Sequence, residues 1–180
     1  HSKPEFHLSV PHIQIPKHTN RSINSTMKDY ENYHLTSQNY DSTRVPVGIE
    51  IILGNWLRYY DGPIDQMRVL DAGCGTGTYS LELAPYVSRI DAVDPSSSML
   101  ENAKEKVKDC GCGDKVFCHL GEINNVPFED DLFDAVIVNQ VLHHLDDDKE
   151  EGYPVHLRVF KELKRVLKPG GILTINTCSH

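Results

Sequence analysis

The sequence predicts an α/β domain built on an open, mainly parallel, doubly wound sheet. Three observations carry that expectation. Val69-Leu-Asp-Ala-Gly-Cys-Gly-Thr-Gly77 is a short apolar run that ends in a glycine-rich turn. Seventeen residues after Gly77, a second apolar run, Arg89-Ile-Asp-Ala-Val-Asp94, ends in a carboxylate. From there to residue 176, short apolar runs alternate with segments long enough to be crossover helices. A strand, a tight turn, a helix and a second strand make a β-α-β unit, with a ligand site at the strand ends. Connections of this length impose parallel neighbours and right-handed crossovers.

Each element follows from its own pattern. Residues 1–26 are polar, hold three prolines and show no periodicity, so they read as an extended arm. Residues 27–42 carry three tyrosines among polar residues, consistent with a short helix and a loop. Pro46 opens a helix in which Ile49, Ile52, Leu53, Trp56, Leu57 and Tyr60 share one face. Asp61-Gly-Pro63 ends it. Strands are expected over 68–72, 89–94, 115–120, 133–139 and 172–176. Helices are expected over 77–85, 97–108 and 154–167, the second opened by a capping box of Ser98 and Glu101. The run 133–139 is almost wholly apolar, as a strand covered on both faces requires. Lys168-Pro-Gly-Gly171 reads as a turn. The chain thus divides into an arm (1–26), a helical cap (27–65) and a sheet domain (66–180).

Composition narrows the function. Eighteen Lys and Arg against 26 Asp and Glu give a formal charge of −8, which argues against a nucleic-acid groove. No apolar run approaches the length that spans a bilayer, and residues 1–20 lack the apolar core of a signal peptide. The five cysteines (74, 110, 112, 118 and 178) show no regular spacing, which suits free thiols in the cytoplasm. Cys110, Cys112 and Cys118 lack the paired C-x-x-C spacing of zinc sites, so no metal is expected.

The glycine spacing narrows the ligand. Dinucleotide sites favour G-x-G-x-x-G, whereas Gly73, Gly75 and Gly77 give G-x-G-x-G and position 78 is Thr. Asp71, two residues before Gly73, would repel a pyrophosphate but favour an ammonium group. Asp94 can accept two hydrogen bonds from a ribose diol. A nucleoside carrying an amino acid fits this set better than one carrying phosphates.

At this point Asp71-Ala-Gly-Cys-Gly-Thr-Gly77 resembles the first motif of the class I S-adenosylmethionine (SAM)-dependent methyltransferases. The resemblance widens to their type 11, ubiquinone-biosynthesis-like group through Glu122-Ile-Asn-Asn-Val-Pro-Phe-Glu-Asp-Asp-Leu-Phe-Asp134, Asn139-Gln-Val-Leu-His-His-Leu145 and Leu167-Lys-Pro-Gly-Gly171. It covers roughly residues 66–177. It implies a Rossmann-like fold with strand order 3-2-1-4-5, SAM as cofactor and a small-molecule methyl acceptor. It also implies a cofactor site drawn from Asp71, Gly73, Cys74, Gly75, Gly77, Asp94, Pro95, Met99, Glu122, Ile123 and Asn139. Asp94 would take the ribose, and Asp71 with the Gly73 backbone would face the methionine part. Met99 would lie on the adenine. Glu122 stands where the group usually has Asp, with the Ile123 backbone as the alternative reader of adenine. His143 is the candidate general base.

Two further expectations concern the whole chain. The family fold has seven strands, and this sequence stops just after the fifth. Strands 6 and 7 are therefore expected to be missing, which leaves strand 5 open to self-association or to a partner chain. The reading from a different class is a SAM-binding regulatory or scaffolding module without catalysis. A nicotinamide-dependent oxidoreductase is disfavoured by the glycine spacing.

Overall fold

The structure, a computed structural model, describes residues 48–145 and 152–177. The tyrosine-bearing segment 27–42, Pro46 and the acidic run 146–151 lie outside the described residues. Helix α1 (Ile49–Tyr59) precedes strand β1 (Arg68–Ala72), followed by α2 (Thr78–Leu83), β2 (Arg89–Asp94), α3 (Ser97–Asp109), β3 (Val116–Leu120), β4 (Phe133–Asn139), α4 (Pro154–Val166) and β5 (Leu167–Asn176). All five strands pair in parallel, in the order β3-β2-β1-β4-β5. The chain therefore has the expected doubly wound topology, with the order reversing between β1 and β4. Among the described residues no helix is long and apolar enough to cross a membrane.

Strand alternation divides the core into two layers. Val69, Ile90, Ala92, Ala135 and Ile137 pack with Ile52, Trp56, Leu83 and Val107 from α1, α2 and α3. Leu70, Val93, Val136 and Val138 pack on the other face with Val159, Leu163 and Val166 of α4. β4 is buried along its whole length, which explains its unbroken apolar sequence.

Three details depart from the sequence expectations. Leu57 is 69% exposed, because only Ile49, Ile52 and Trp56 of α1 turn fully into the core. The α3 N-cap is Ser96, whose hydroxyl accepts from the Met99 amide at 3.4 Å, so Ser98 lies inside the helix. Lys168-Pro-Gly-Gly171 is part of β5, where an irregular register between Phe133 and Ala135 absorbs the extra residues. A fourth concerns chemistry: Cys110 and Cys112 form a disulfide, whereas Cys74 and Cys118 are free.

Asp134 ties the lower end of the sheet together. It accepts from the Tyr60 hydroxyl (2.9 Å), the Arg68 amide (2.9 Å) and Lys168 Nζ (2.8 Å). Tyr60 caps the end of α1, so α1 runs down the sheet from the carboxyl side of the strands to their amino side. Gly48, the first described residue, therefore lies on the side on which β1, β2 and β4 end.

Candidate cofactor site

The three glycines of the β1–α2 turn have three different reasons. At Gly73 (φ +81°) a Cβ would collide with the Val141 side chain, so the loop after β4 sits directly on the glycine loop. At Gly77 a Cβ would lie 3.2 Å from Ala103 Cβ, so this glycine admits α3. At Gly75 (φ +55°) a Cβ would meet nothing within 4 Å. Of the three, only Gly75 meets none of the described residues on the side its Cβ would occupy, which leaves room for a ligand against the backbone.

Asp94 organises the rim. One carboxylate oxygen accepts from the Gly75 amide at 2.8 Å and the other from the Ser96 amide at 2.9 Å. A single side chain thus fixes the glycine loop relative to the β2–α3 turn. Burial pushes its pKa up, and the two amides pull against that.

Asp71 lies deeper, at 1% exposure. It accepts from the Ser80 hydroxyl at 2.6 Å, which holds the first turns of α2 against β1. Burial raises its pKa to about 7, the Ser80 hydrogen bonds oppose the shift, and the neighbouring Asp94 adds to it. Burial likewise pushes the Cys74 thiol far up, with the Asp71 and Asp94 charges adding to the shift, so Cys74 is no nucleophile.

Asn139 ends β4 with 7% exposure, and among the described residues both atoms of its side-chain amide lack a hydrogen-bond partner. Buried amides are normally paired. By strand alternation Asp71, Asp94 and Asn139 all face the layer of α1, α2 and α3. Three polar side chains from three adjacent strands therefore meet at one corner of the sheet, at the reversal of strand order. Ligands of such folds bind at that place.

The other predicted residues take their places around it. Met99 is 4% exposed in the first turn of α3, and Pro95 is exposed beside Asp94. Glu122 is exposed and bridges to Asn125, while Ile123 buries its side chain in the second layer. His143 is exposed in a 3-10 turn, Leu142–His144, with its ring 4.0 Å from that of His144. Sequence reading missed Ser80, Ser96 and Val141. Ser80 had a faint signal, a hydroxyl on a helix facing a strand carboxylate; Val141 had none, since its contact with Gly73 is purely tertiary.

A family model described as a methyltransferase domain matches residues 70–175, more than half of the chain. The chain belongs to this family, the type 11 methyltransferases. An open cradle at Gly75 beside Asn139, whose amide has no partner among the described residues, fits the SAM that the sequence resemblance implies. A demethylmenaquinone methyltransferase of Bacillus subtilis is 36% identical over 107 residues, covering 58% of this chain and 42% of that protein. An uncharacterised methyltransferase of Schizosaccharomyces pombe is 39% identical over 117 residues, 58% of this chain and 37% of its own. The biotin-biosynthesis bifunctional protein of Teredinibacter turnerae is 28% identical across 93% of this chain but 31% of its own length. The chain thus spans less than half the length of these relatives. Among solved structures, a SAM-dependent methyltransferase from Aquifex aeolicus is similar at TM-score 0.58 and 27% identity, over 73% of this chain and 67% of that one. One from Methanococcus maripaludis, at 24% identity and TM-score 0.63, shares the fold over 86% of this chain and 67% of its own.

Proposed function

We propose that this chain carries the cofactor half of an enzyme that transfers the methyl group of SAM directly, in line, to a small-molecule acceptor. The observation that carries this reading is Asn139, a buried amide at the mouth of the site with no partner among the described residues. A ligand or acceptor group bound there would complete it. Asp94 takes the ribose hydroxyls, the Gly75 backbone lies along the cofactor, and Asp71 opposes the ammonium. Met99 and the Ile123 backbone flank the adenine, with Glu122 at its edge. When bound, SAM supplies a sulfonium methyl that is already electrophilic. What remains for the protein is to align a nucleophile with it and to keep water out, and alignment alone supplies several kcal/mol. His143, four residues after Asn139, serves as base only for an acceptor that must lose a proton.

Two supports come from outside the site. Relatives named for demethylmenaquinone and for biotin biosynthesis point to small-molecule acceptors. The entry of α1 from the carboxyl side of the strands supports a second element of the proposal, that residues 27–42 cover the cofactor. Removing residues 1–45 should then lower methyl transfer far more than it lowers stability; full activity of the shortened chain would rule this out. A third element concerns β5, one of the two edge strands among the described residues, on which Leu173 and Ile175 are 37% and 39% exposed. This edge suits self-association or a strand from another chain, and light scattering should then register a species larger than one chain.

The test of the reaction is a methylation panel with labelled SAM, offering quinols, carboxylic acids, amines, proteins and nucleic acids. Label in a small molecule supports the reading. Label confined to protein or nucleic acid refutes it, and tight SAM binding with no transfer to any acceptor favours the non-catalytic module.

A further inference from the structure

A charged cluster that the cofactor site does not use lies on the second face of the sheet. Asp91 is fully buried in the middle of β2. Its neighbours Ile90 and Ala92 belong to the first layer, so its carboxylate points to the other face. Arg68 Nε donates to Oδ2 at 2.8 Å. Arg89 donates through Nε to Oδ2 (2.9 Å) and through Nη2 to Oδ1 (2.8 Å). His119 Nε2 lies 2.9 Å from Oδ1. Each guanidinium is fixed a second time by a ring: Arg89 stands 4.0 Å over Phe117, and Arg68 5.3 Å over Phe133. The helix packed on β2 and β3, α3, lies on the opposite face, and the two arginine side chains keep 29% and 37% exposure.

Two permanent cations therefore share one carboxylate, a local charge of +1 on a chain of −8. Among the described residues, both Nη nitrogens of Arg68 and Nη1 of Arg89 have no hydrogen-bond partner. Apolar residues would cover a bare strand more cheaply than a buried ion cluster does. What the cluster provides instead is a pair of guanidinium forks, from adjacent strands, held rigid before any ligand arrives.

We propose that Arg68 and Arg89 form a second ligand site, for the phosphate group of a small molecule, on the sheet face opposite the cofactor loop. Rigid guanidinium forks suit oxyanions, because little rotamer freedom is lost on binding. Three nitrogens on the two forks remain without a partner among the described residues, and the three terminal oxygens of a phosphate can accept from more of them than the two oxygens of a carboxylate can. Nucleic acid does not fit a single pair of arginines on a chain of net charge −8. Asp91 precedes Asp94 by three residues and faces the other way, so a molecule held here does not meet the transferred methyl group. The site retains or senses a phosphorylated molecule; it does not react with it.

The test is an NMR titration of the intact chain with inorganic phosphate, following the Arg Nε–Hε resonances, with acetate at equal ionic strength as comparison. The expected result is a saturable shift of the Arg68 and Arg89 signals with phosphate, at least tenfold weaker with acetate. Arg89→Gln should lower phosphate affinity at least tenfold while S-adenosylhomocysteine affinity stays unchanged. If that variant does not fold, Arg89→Lys keeps the charge, loses the fork and should show the same loss. A linear, non-saturating response, or equal shifts with acetate, overturns the proposal. So does phosphate binding that is indifferent to both variants.

Discussion

Asp71 holds its proton at a pH where an exposed aspartate has lost it. Its folded pKa of about 7 stands above the ordinary 3.8, so between those values the folded state binds more protons than the unfolded one. Stability from this group is therefore complete below pH 4 and declines as pH rises to 7. Urea denaturation should show wild-type stability falling over that window by about 2–4 kcal/mol relative to Asp71→Asn. Parallel curves for the two proteins would place the Asp71 pKa near its ordinary value. Asn139 carries a prediction of unusual sign. Its amide, without a partner among the described residues, costs folding free energy, so Asn139→Leu should leave stability unchanged or raise it by about 1 kcal/mol, while weakening S-adenosylhomocysteine binding. Marked destabilisation, read by thermal unfolding, would mean that the amide has an internal partner. Both residues are candidates from the sequence, Asp71 by its place before Gly73 and Asn139 by its place at a strand end. Their energetics are not legible there, because burial and the absence of partners are properties of packing.

At the scale of elements, the glycine loop separates folding from binding. Gly73→Ala forces a Cβ onto Val141 at a positive φ and should cost about 2–4 kcal/mol of stability. Gly75→Ala meets no neighbour, so it should cost about 1 kcal/mol, the left-handed backbone alone, yet weaken cofactor binding more than it weakens folding. Chemical denaturation and calorimetry on the pair check this; equal stability losses would contradict the division of roles. The sequence marked all three glycines alike. Only the fold tells them apart, because what each faces (Val141, open space, Ala103) comes from a different distant element. The same limit explains the α3 cap. Ser96 and Ser98 are equally good cap residues by type, and the Asp94 carboxylate, which takes the Ser96 amide, decides between them.

Across the whole molecule, the strand order, the parallel pairing and the two-layer core follow from motif spacing and from the fully apolar β4. The charged devices do not. Nothing in the order of residues announces that Asp134 joins α1, β1 and β5, or that Asp91 gathers two arginines and a histidine. Asp134→Ala should destabilise the chain by about 1–3 kcal/mol through three lost hydrogen bonds, with Lys168 discounted because it is 43% exposed. Cofactor affinity, decided at the other end of the strands, should change little. The central claim is that SAM binds where β1, β2 and β4 end, held by Asp94. Isothermal titration of S-adenosylhomocysteine into the wild-type chain and into Asp94→Ala tests it most directly. One bound molecule per wild-type chain is predicted, with affinity weaker by about 1–3 kcal/mol in the variant. Equal affinity in the two proteins, or no binding to the wild type, would contradict the account.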